Sequence, residues 1–542
     1  MKAILAGLTG LSLAVSVQAQ YWPREKTNTE PWRLDSYGTW EQHDGTVVLK
    51  VSVPSGKAAG IHGGTLPIDL TPYYGKQIEV SCSTKHECMT KPSRSYLGFK
   101  LMLSYTDKGI RHYPGGGGGL SLPADSDWRP AAFVTSIPAE ADAAIISLGL
   151  QEVTGTVWFK DLKIREVDVY PTVVELPEGF QCEYTDTVAS LPTLRGCMSP
   201  NLNRGAKAED FQELARWGAN VVRWQLNAPK DCRLDREKFA ATFDQHMKNL
   251  DEHLPLLRKI GLNVIIDMHC PPGARYRDGG IAGTAGTLAG NVAVNESNCR
   301  IFYEKEYLDF FVDTWRKFAR HYQDEEIVVA YDLINEPTQY NEVTYNYLLC
   351  QYQAAKAIRE IDPEKPIVIA ANEWSSAKAF TYLSPLPLKN LIYQGHMYVP
   401  GEYTHQGVGK GNMEKVLRGE LKAYPGMLQG RHYDKEVLRT VLQPIRDFQL
   451  RYGARIYMGE FSAIRFAPGA ARYIEDVISI FEDYGWDWSY HAFREWHNWS
   501  VEYDEDPRNN KPATTDTERK KILLKYFSRN KKRQGVGAGR YR

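Results

Sequence analysis

The sequence predicts an α/β chain in two parts, an all-β jelly-roll-like sandwich followed by a (β/α)8 barrel of the TIM type. Three observations lead there. The 542 residues exceed one ordinary core, because chains divide into domains above roughly 250 to 300 residues. Residues 20–168 carry short alternating runs with turn signals between them. From residue 169 to 530, strand-like runs alternate with longer amphipathic ones, the order that builds a parallel sheet covered by helices.

In the first part, "TVVLKVSVP", "KQIEVSC", "YLGFKLMLSY" and "GTVWFKDLKIREVDV" show no long helical period. Turn-forming stretches separate them, including "PGGGGG" at 114–119. Such spacing predicts a β-sandwich. The closing strand, with Trp158 followed by "KDLKI", resembles the last strand of jelly-roll carbohydrate-binding modules. That likeness implies a module of that kind over 20–168.

The second part supplies eight strand candidates: "TLRGCM", "NVVRWQL", "NVIIDMH", "VVAYDLIN", "IVIAAN", "NLIYQGHMY", "RIYMGE" and "WDWSYHAF". Amphipathic runs such as "LDREKFAATFDQHMKNLDEHLPLLRKI" and "AARYIEDVISIFEDY" connect them. Eight such units fit a (β/α)8 barrel with insertions. Residues 271–300 are Gly-rich without helical period. They contain no GxxxxGK[ST] and do not pass directly from strand to helix, which argues against a phosphate cradle. A long loop of this kind is expected to form one wall of a cleft.

Hydrophobic residues at 43% and charged residues at 24% describe a globular chain. A formal net charge of +0 gives no reason to expect a nucleic-acid partner. The 13 Trp and 32 Tyr suit flat, weakly polar ligands such as sugar rings, beyond what the core takes. Lys2, the apolar run over 3–17 and Val17-Gln18-Ala19 read as a signal peptide over 1–19, with a secreted or periplasmic product. The run falls short of the about 20 residues that span a membrane, so no membrane span is expected. Residues 531–542 read as a basic flexible tail. Export permits disulfides, and of the eight cysteines Cys82 and Cys88 are close enough for a local bridge. No CxxC pair occurs, so no zinc site is expected.

The polar residues of the second part collect at strand ends. Arg195 is read as ending the first strand, Arg223 the second and His269 the third. Asn335 and Glu336 end the fourth, His396 and Tyr398 the sixth and Glu460 the seventh, and Trp496 follows the eighth. Barrel enzymes build their sites at the C-terminal strand ends. Cleaving a glycosidic bond needs a proton for the leaving oxygen and a group to meet positive charge at the anomeric carbon, and two carboxyls supply both. Glu336 is then the acid, its pKa raised by burial or by the second carboxylate. Glu460 is the nucleophile, kept ionised by Arg223. Asn335 would hold the sugar 2-hydroxyl, Tyr398 would donate to Glu460, and Trp496 would offer a platform. Glu373, beside Trp374 after the fifth strand, is expected on the cleft wall.

"NVVRW", "DMH", "LINEP", "HMY" and "MGEF", in this order on these strands, resemble glycoside hydrolase family 5, as does the loop "HMYVPGEYTHQG". The resemblance covers roughly residues 180–530. It implies Glu336 as acid/base and Glu460 as nucleophile, with Arg223, His269, Asn335, His396 and Tyr398 around them and Trp496 stacking on substrate. It further implies a retaining, endo-acting β-glycosidase that uses no cofactor or metal and takes a β-glucan or mannan. "WDWSYHAFREWHNWS" offers Trp488 and Trp499 as rivals to Trp496. Two other functions fit less well. A sugar-holding barrel without catalysis has no need of both carboxyls. A metal hydrolase using His269, His396 and His491 lacks an HxH after the first strand and any HExxH.

Overall fold

A computed structural model describes residues 21–93, 97–114, 124–200, 206–229, 235–273, 300–340 and 342–530. The expected signal peptide, the glycines at 115–119, most of the 271–300 loop and the basic tail lie outside the described residues. The chain divides into two compact units, one holding residues up to Val169 and the other beginning at Tyr170.

The first unit contains β1 (Arg33–Leu34), β2 (Gly38–His43), β3 (Thr46–Val53), β4 (Ile61–Pro67), β5 (Gln77–Glu87), β6 (Gly98–Asp107), β7 (Ile110–His112), β8 (Ser126–Ser136), β9 (Asp142–Gln151) and β10 (Gly155–Val167). They form two five-stranded sheets, ordered β1-β4-β9-β6-β7 and β2-β3-β10-β5-β8. Neighbours are antiparallel, as in β10 with β3 and β5, and β9 with β4 and β6. Alternation explains which face is inside. Along β5, Ile78, Val80 and Cys82 are buried in the core shared with Leu49, Phe99, Leu148 and Phe159, while the residues between them are partly exposed. The same alternation decides against the expected Cys82–Cys88 bridge. Cys82 points into the core, Cys88 lies exposed past the strand end, and the two are not disulfide-bonded. Cys232 and Cys299 fall outside the described residues. Trp158 on β10 is only 8% exposed, and the Lys50 and Lys85 ammonium groups sit 5.7 and 5.2 Å from its ring.

The second unit is a closed parallel barrel of β11 (Arg195–Met198), β12 (Val221–Gln225), β13 (Asn263–Asp267), β14 (Val328–Asp332), β15 (Ile367–Ala370) and β16 (Leu391–Met397). A small hairpin, β17 (Gly426–Leu428) and β18 (Arg431–Tyr433), precedes its last two strands, β19 (Arg455–Phe461) and β20 (Asp487–Tyr490). All eight fall on the runs read from the sequence. The predicted helices form as well, over Arg236–Ile260 and Ala470–Tyr484. The first is capped by Asp235, which accepts from the Glu237 and Lys238 amides, and is ended by Gly261 at φ +70°, a left-handed position that suits glycine. Among the described residues no helix is long and apolar enough to cross a membrane.

Two layers fill the barrel. Val221, Ile265, Val329, Ala330, Val368, Ile392 and Tyr457 form an apolar plug. Two residues further along their strands stand Arg223, Asp267, Asp332 and Gln394, all buried. Period-two geometry places these polar groups on the same inner face, one layer nearer the C-terminal mouth.

Arg195 departs from expectation. It opens β11, so its guanidinium lies at the opposite, N-terminal end. There it donates to Glu482 at 2.7 and 2.9 Å and to Asn530 at 3.1 Å. A strand candidate read without its register does not tell which end a residue occupies. Arg455 closes the same end by donating to Asp487 at 2.6 and 3.0 Å and to the Val188 and Pro192 carbonyls at 3.1 and 3.0 Å. Removing one partner of a buried ion pair strands the other. Arg455→Ala should therefore cost about 3–5 kcal/mol, measured as a lower urea midpoint for the barrel transition. A loss below about 1 kcal/mol would contradict this role.

Candidate active site

Arg223 is the centre of the polar layer. Its Nη1 donates to Glu460 Oε1 at 2.7 Å, its Nε to Asp332 Oδ2 at 2.8 Å and its Nη2 to Asn335 Oδ1 at 3.0 Å. Nη2 also lies 3.1 Å from Asp267 Oδ1, an ionic contact whose angle does not make a hydrogen bond. Asp332 additionally accepts from Gln394 Nε2 at 2.9 Å. His269 Nδ1 is 2.8 Å from Asp267 Oδ2, and its Nε2 is 3.2 Å from Asn335 Nδ2. The carboxylate therefore fixes the ring with hydrogen on Nδ1, leaving Nε2 to accept from Asn335.

Glu460 reaches this layer through a break in register. Between β16 and β19, Gly395 pairs with Met458 but His396 pairs with Glu460. Gly459 is thus left without an opposite residue, the signature of a bulge. A Cβ on Gly459 would sit 1.6 Å from Gln394 Oε1, so only glycine lets Gln394 occupy the layer. The extra residue turns Glu460 inward beside His396. Glu336 arrives differently. It follows β14 in the left-handed region at φ +48°, a conformation that costs a non-glycine residue about 1–2 kcal/mol.

The two carboxyls meet around one imidazole. An oxygen of Glu336, an oxygen of Glu460 and a ring nitrogen of His396 all lie within 4.8 Å of one another. His396 Nδ1 is 3.0 Å from Glu336 Oε1 and 3.9 Å from Glu460 Oε2. His396 Nε2 is 3.3 Å from Gln394 Oε1, whose amide nitrogen is committed to Asp332. Gln394 therefore presents its oxygen, and His396 gives it the Nε2 hydrogen. The contact of Nδ1 with Glu336 then requires one proton between the two, on one side or the other. Such a trio also has the spacing of a cation site, but the Arg223 guanidinium already sits on Glu460 and opposes a second positive charge there.

The environments of the two carboxyls differ. Glu460 is 5% exposed at its side chain and Glu336 is 18% exposed. Burial pushes the Glu460 carboxyl up, but His396, His491 and Arg223 outweigh it and hold it well below the usual range. Tyr398 donates its hydroxyl to Glu460 Oε2 at 3.0 Å. Burial and the neighbouring carboxylates raise the tyrosine far above its ordinary value, so it stays protonated and remains a donor.

The structure thus gathers Arg223, His269, Asn335, Glu336, His396, Tyr398 and Glu460 in one hydrogen-bonded set. Glu373 is tied elsewhere, accepting from Tyr382 Oη at 2.9 Å with Lys378 at 3.4 Å. Of the three tryptophans, Trp488 is buried and stacks on Phe527 at 5.4 Å. Trp499 stacks on Tyr398 at 5.5 Å. Trp496 meets Trp499 edge-on at 5.3 Å and lines a polar hollow of about 530 Å³ with Lys207, Asp210, Arg494 and Glu495. Sequence reasoning did not point to Asp267, Asp332, Gln394 or Glu495, and it offered His491 only in the metal-hydrolase alternative. The first three did leave a signal, since a charged or amide group inside an otherwise apolar strand must find partners when buried.

A barrel with paired carboxyls at its C-terminal mouth has the layout of a glycoside hydrolase. Comparison with known proteins agrees. The family Cellulase (glycosyl hydrolase family 5) matches residues 183–501, more than half of the chain, and the chain belongs to that family. Endoglucanase C of Acetivibrio thermocellus is 26% identical over 309 residues, 52% of this chain and 83% of that one. Cellodextrinase A of Ruminococcus flavefaciens is 23% identical over 292 residues, 52% of this chain and 77% of that one. A solved Thermotoga maritima Cel5A in complex with cellobiose aligns with 62% of this chain and 97% of its own, at 23% identity and a TM-score of 0.44. The protein is an O-glycosyl hydrolase with a carbohydrate substrate.

The depressed pKa of Glu460 carries a sign. Its contribution to folding stability is complete above the ordinary glutamate value of 4.5 and is lost as pH falls toward the lower folded value. Unfolding free energies at about pH 7 and about pH 3 should therefore fall more steeply in the wild type than in Glu460→Gln. Equal slopes would show that Glu460 is not held ionised.

Proposed function

We propose that this protein is an exported, retaining, endo-acting hydrolase of β-glucans, with Glu336 as acid/base and Glu460 as nucleophile. The observation that carries the reading is the approach of the Glu336 and Glu460 oxygens to within 4.8 Å of each other around His396. Retaining enzymes hold their carboxyls about 5–5.5 Å apart, while inverting ones leave about 6.5–9.5 Å for a water. The roles follow from the surroundings. Glu460, deep among cations and donors, is the charged partner and attacks the anomeric carbon. Glu336, nearer the mouth and sharing a proton with His396, protonates the departing glycosidic oxygen. That step leaves a glycosyl ester on Glu460. Glu336, now ionised, takes a proton from an incoming water, whose oxygen displaces Glu460 and restores the starting configuration.

Arg223 holds Glu460 in the attacking position and keeps it charged. Asn335, oriented by Arg223 and His269, is set to meet the sugar 2-hydroxyl. The relatives named endoglucanase and cellodextrinase favour β-glucan over mannan as the substrate, and internal over terminal cleavage. Export rests on Lys2, the apolar run after it and Val17-Gln18-Ala19.

On a panel of β-glucans and mannans, the wild type should release reducing ends and lower the viscosity early. Proton NMR of the first product should show the β-anomer. Glu460→Gln and Glu336→Gln should each lose at least about a thousandfold in kcat on unactivated polysaccharide while remaining folded. Near-normal turnover in either variant, or an α-anomer as first product, would reject the assignment.

A further inference from the structure

His491 stands beside the two carboxyls without a part in the steps above. It directly follows β20, and its side chain is 11% exposed. Nδ1 lies 2.6 Å from Tyr398 Oη and Nε2 lies 2.8 Å from Glu495 Oε2. Glu495 also accepts from Gln225 Nε2 at 3.0 Å. The protons in this chain can be counted. Tyr398 owns one hydroxyl proton, and Glu460, when ionised, can only accept, so that proton is committed to it. The tyrosine oxygen must then accept from His491, which places a hydrogen on Nδ1. Glu495, when ionised, also only accepts, which places a hydrogen on Nε2. An imidazole with hydrogen on both nitrogens is a cation.

We propose that His491 is a positioning residue for the hydrolysis: as an imidazolium held by Glu495, it donates to Tyr398 and so keeps the tyrosine hydroxyl aimed at Glu460. The proposal rests on the reading of Glu460 as nucleophile.

The charges around the ring support it. Glu495 faces Nε2, Glu460 Oε2 lies 3.5 Å from Nδ1, and Glu336 stands beyond it. On the opposing side are His405, which burial holds below its usual value, and Arg223, which occupies the other oxygen of Glu460. Trp499 meets the ring edge-on at 4.7 Å and carries no charge. Burial works against the imidazolium, but Glu495 and Glu460 outweigh it and push His491 up to about 9. Loss of the Nδ1 hydrogen would reverse the chain. A bare Nδ1 accepts from Tyr398, the hydroxyl turns away from Glu460, and the nucleophile loses a donor.

Glu495→Gln is the discriminating change. The amide oxygen can still accept from Nε2, but the charge that holds the ring protonated is gone. In protein labelled with 15N at histidine, with the His491 signal identified by its loss in His491→Gln, both ring nitrogens should carry hydrogen at about pH 7.5 in the wild type. Glu495→Gln should show one bare nitrogen at that pH. Kinetics would use 2,4-dinitrophenyl β-cellobioside, whose leaving group needs no proton from Glu336, so that bond cleavage reports on Glu460 without acid assistance. At about pH 7.5, Glu495→Gln should lose roughly tenfold in kcat with KM little changed. The loss should shrink toward about pH 5, where the ring regains its proton. In a Tyr398→Phe background Glu495→Gln should have no further effect, because the relay passes through that hydroxyl. A bare Nδ1 in the wild type at about pH 7.5, or an equal kcat loss in the Tyr398→Phe background, would overturn the proposal. Absence of any turnover by the wild type would instead reject the function, and the spectrum would still decide the state of His491.

Discussion

A single buried guanidinium holds the catalytic end of this barrel together. Arg223 touches Asp267, Asp332, Asn335 and Glu460, groups from or just beyond three other strands. Burying several carboxylates is tolerable only when each has a partner, because an unpaired buried charge costs several kcal/mol. Arg223 cannot neutralise them alone. His269 on Asp267, Gln394 on Asp332, and Tyr398, His396 and His491 around Glu460 complete the set. The layer fixes where Glu460 stands and keeps it charged, and it does both with the same bonds. The apolar plug lies beneath that layer and supports it.

Catalysis by two glutamates needs two different environments, and the backbone supplies them. Glu460 is turned inward by a bulge at Gly459, where the missing side chain leaves room for Gln394. Glu336 is thrown toward the mouth by a left-handed residue that carries strain. His396 sits between them and, through Gln394, is tied back to Asp332. Glu336 and Glu460 are therefore linked to the same buried network, one through the His396–Gln394 chain and one directly through Arg223. Arg195 and Arg455 brace the N-terminal end, while the charged layer below the mouth prepares the chemistry.

Much of this was legible in the sequence, for physical reasons. Parallel strands buried on both faces read as continuous apolar runs, which is why all eight barrel strands fell where expected. A carboxyl, histidine or asparagine at the end of such a run stands out, and this located Glu336, Glu460, Asn335, His269 and His396. What stayed hidden depends on register and on pairing across the barrel. Arg195 was placed at the wrong end because a four-residue strand does not reveal its own direction of burial. The bulge at Gly459 is a relation between two strands. Among Trp488, Trp496 and Trp499 the sequence does not show that His491, considered only as a metal ligand, stands 3.5 Å from Glu460 Oε2. The partner of His491, Glu495, four residues on, has no meaning until the turn brings them together. The five residues between Cys82 and Cys88 looked short enough for a bridge, but alternation sent the first thiol into the core.

The central claim is that Glu460 is the atom-bonding member of the pair. Incubating the wild type with 2,4-dinitrophenyl 2-deoxy-2-fluoro-β-cellobioside, digesting it and mapping the adduct by mass spectrometry tests this most directly. One equivalent of fluorocellobiosyl ester is expected on the peptide carrying Glu460, and none on the peptide carrying Glu336. Labelling of Glu336, or burst-free inactivity with no adduct from an enzyme that still hydrolyses the parent glycoside, would contradict it.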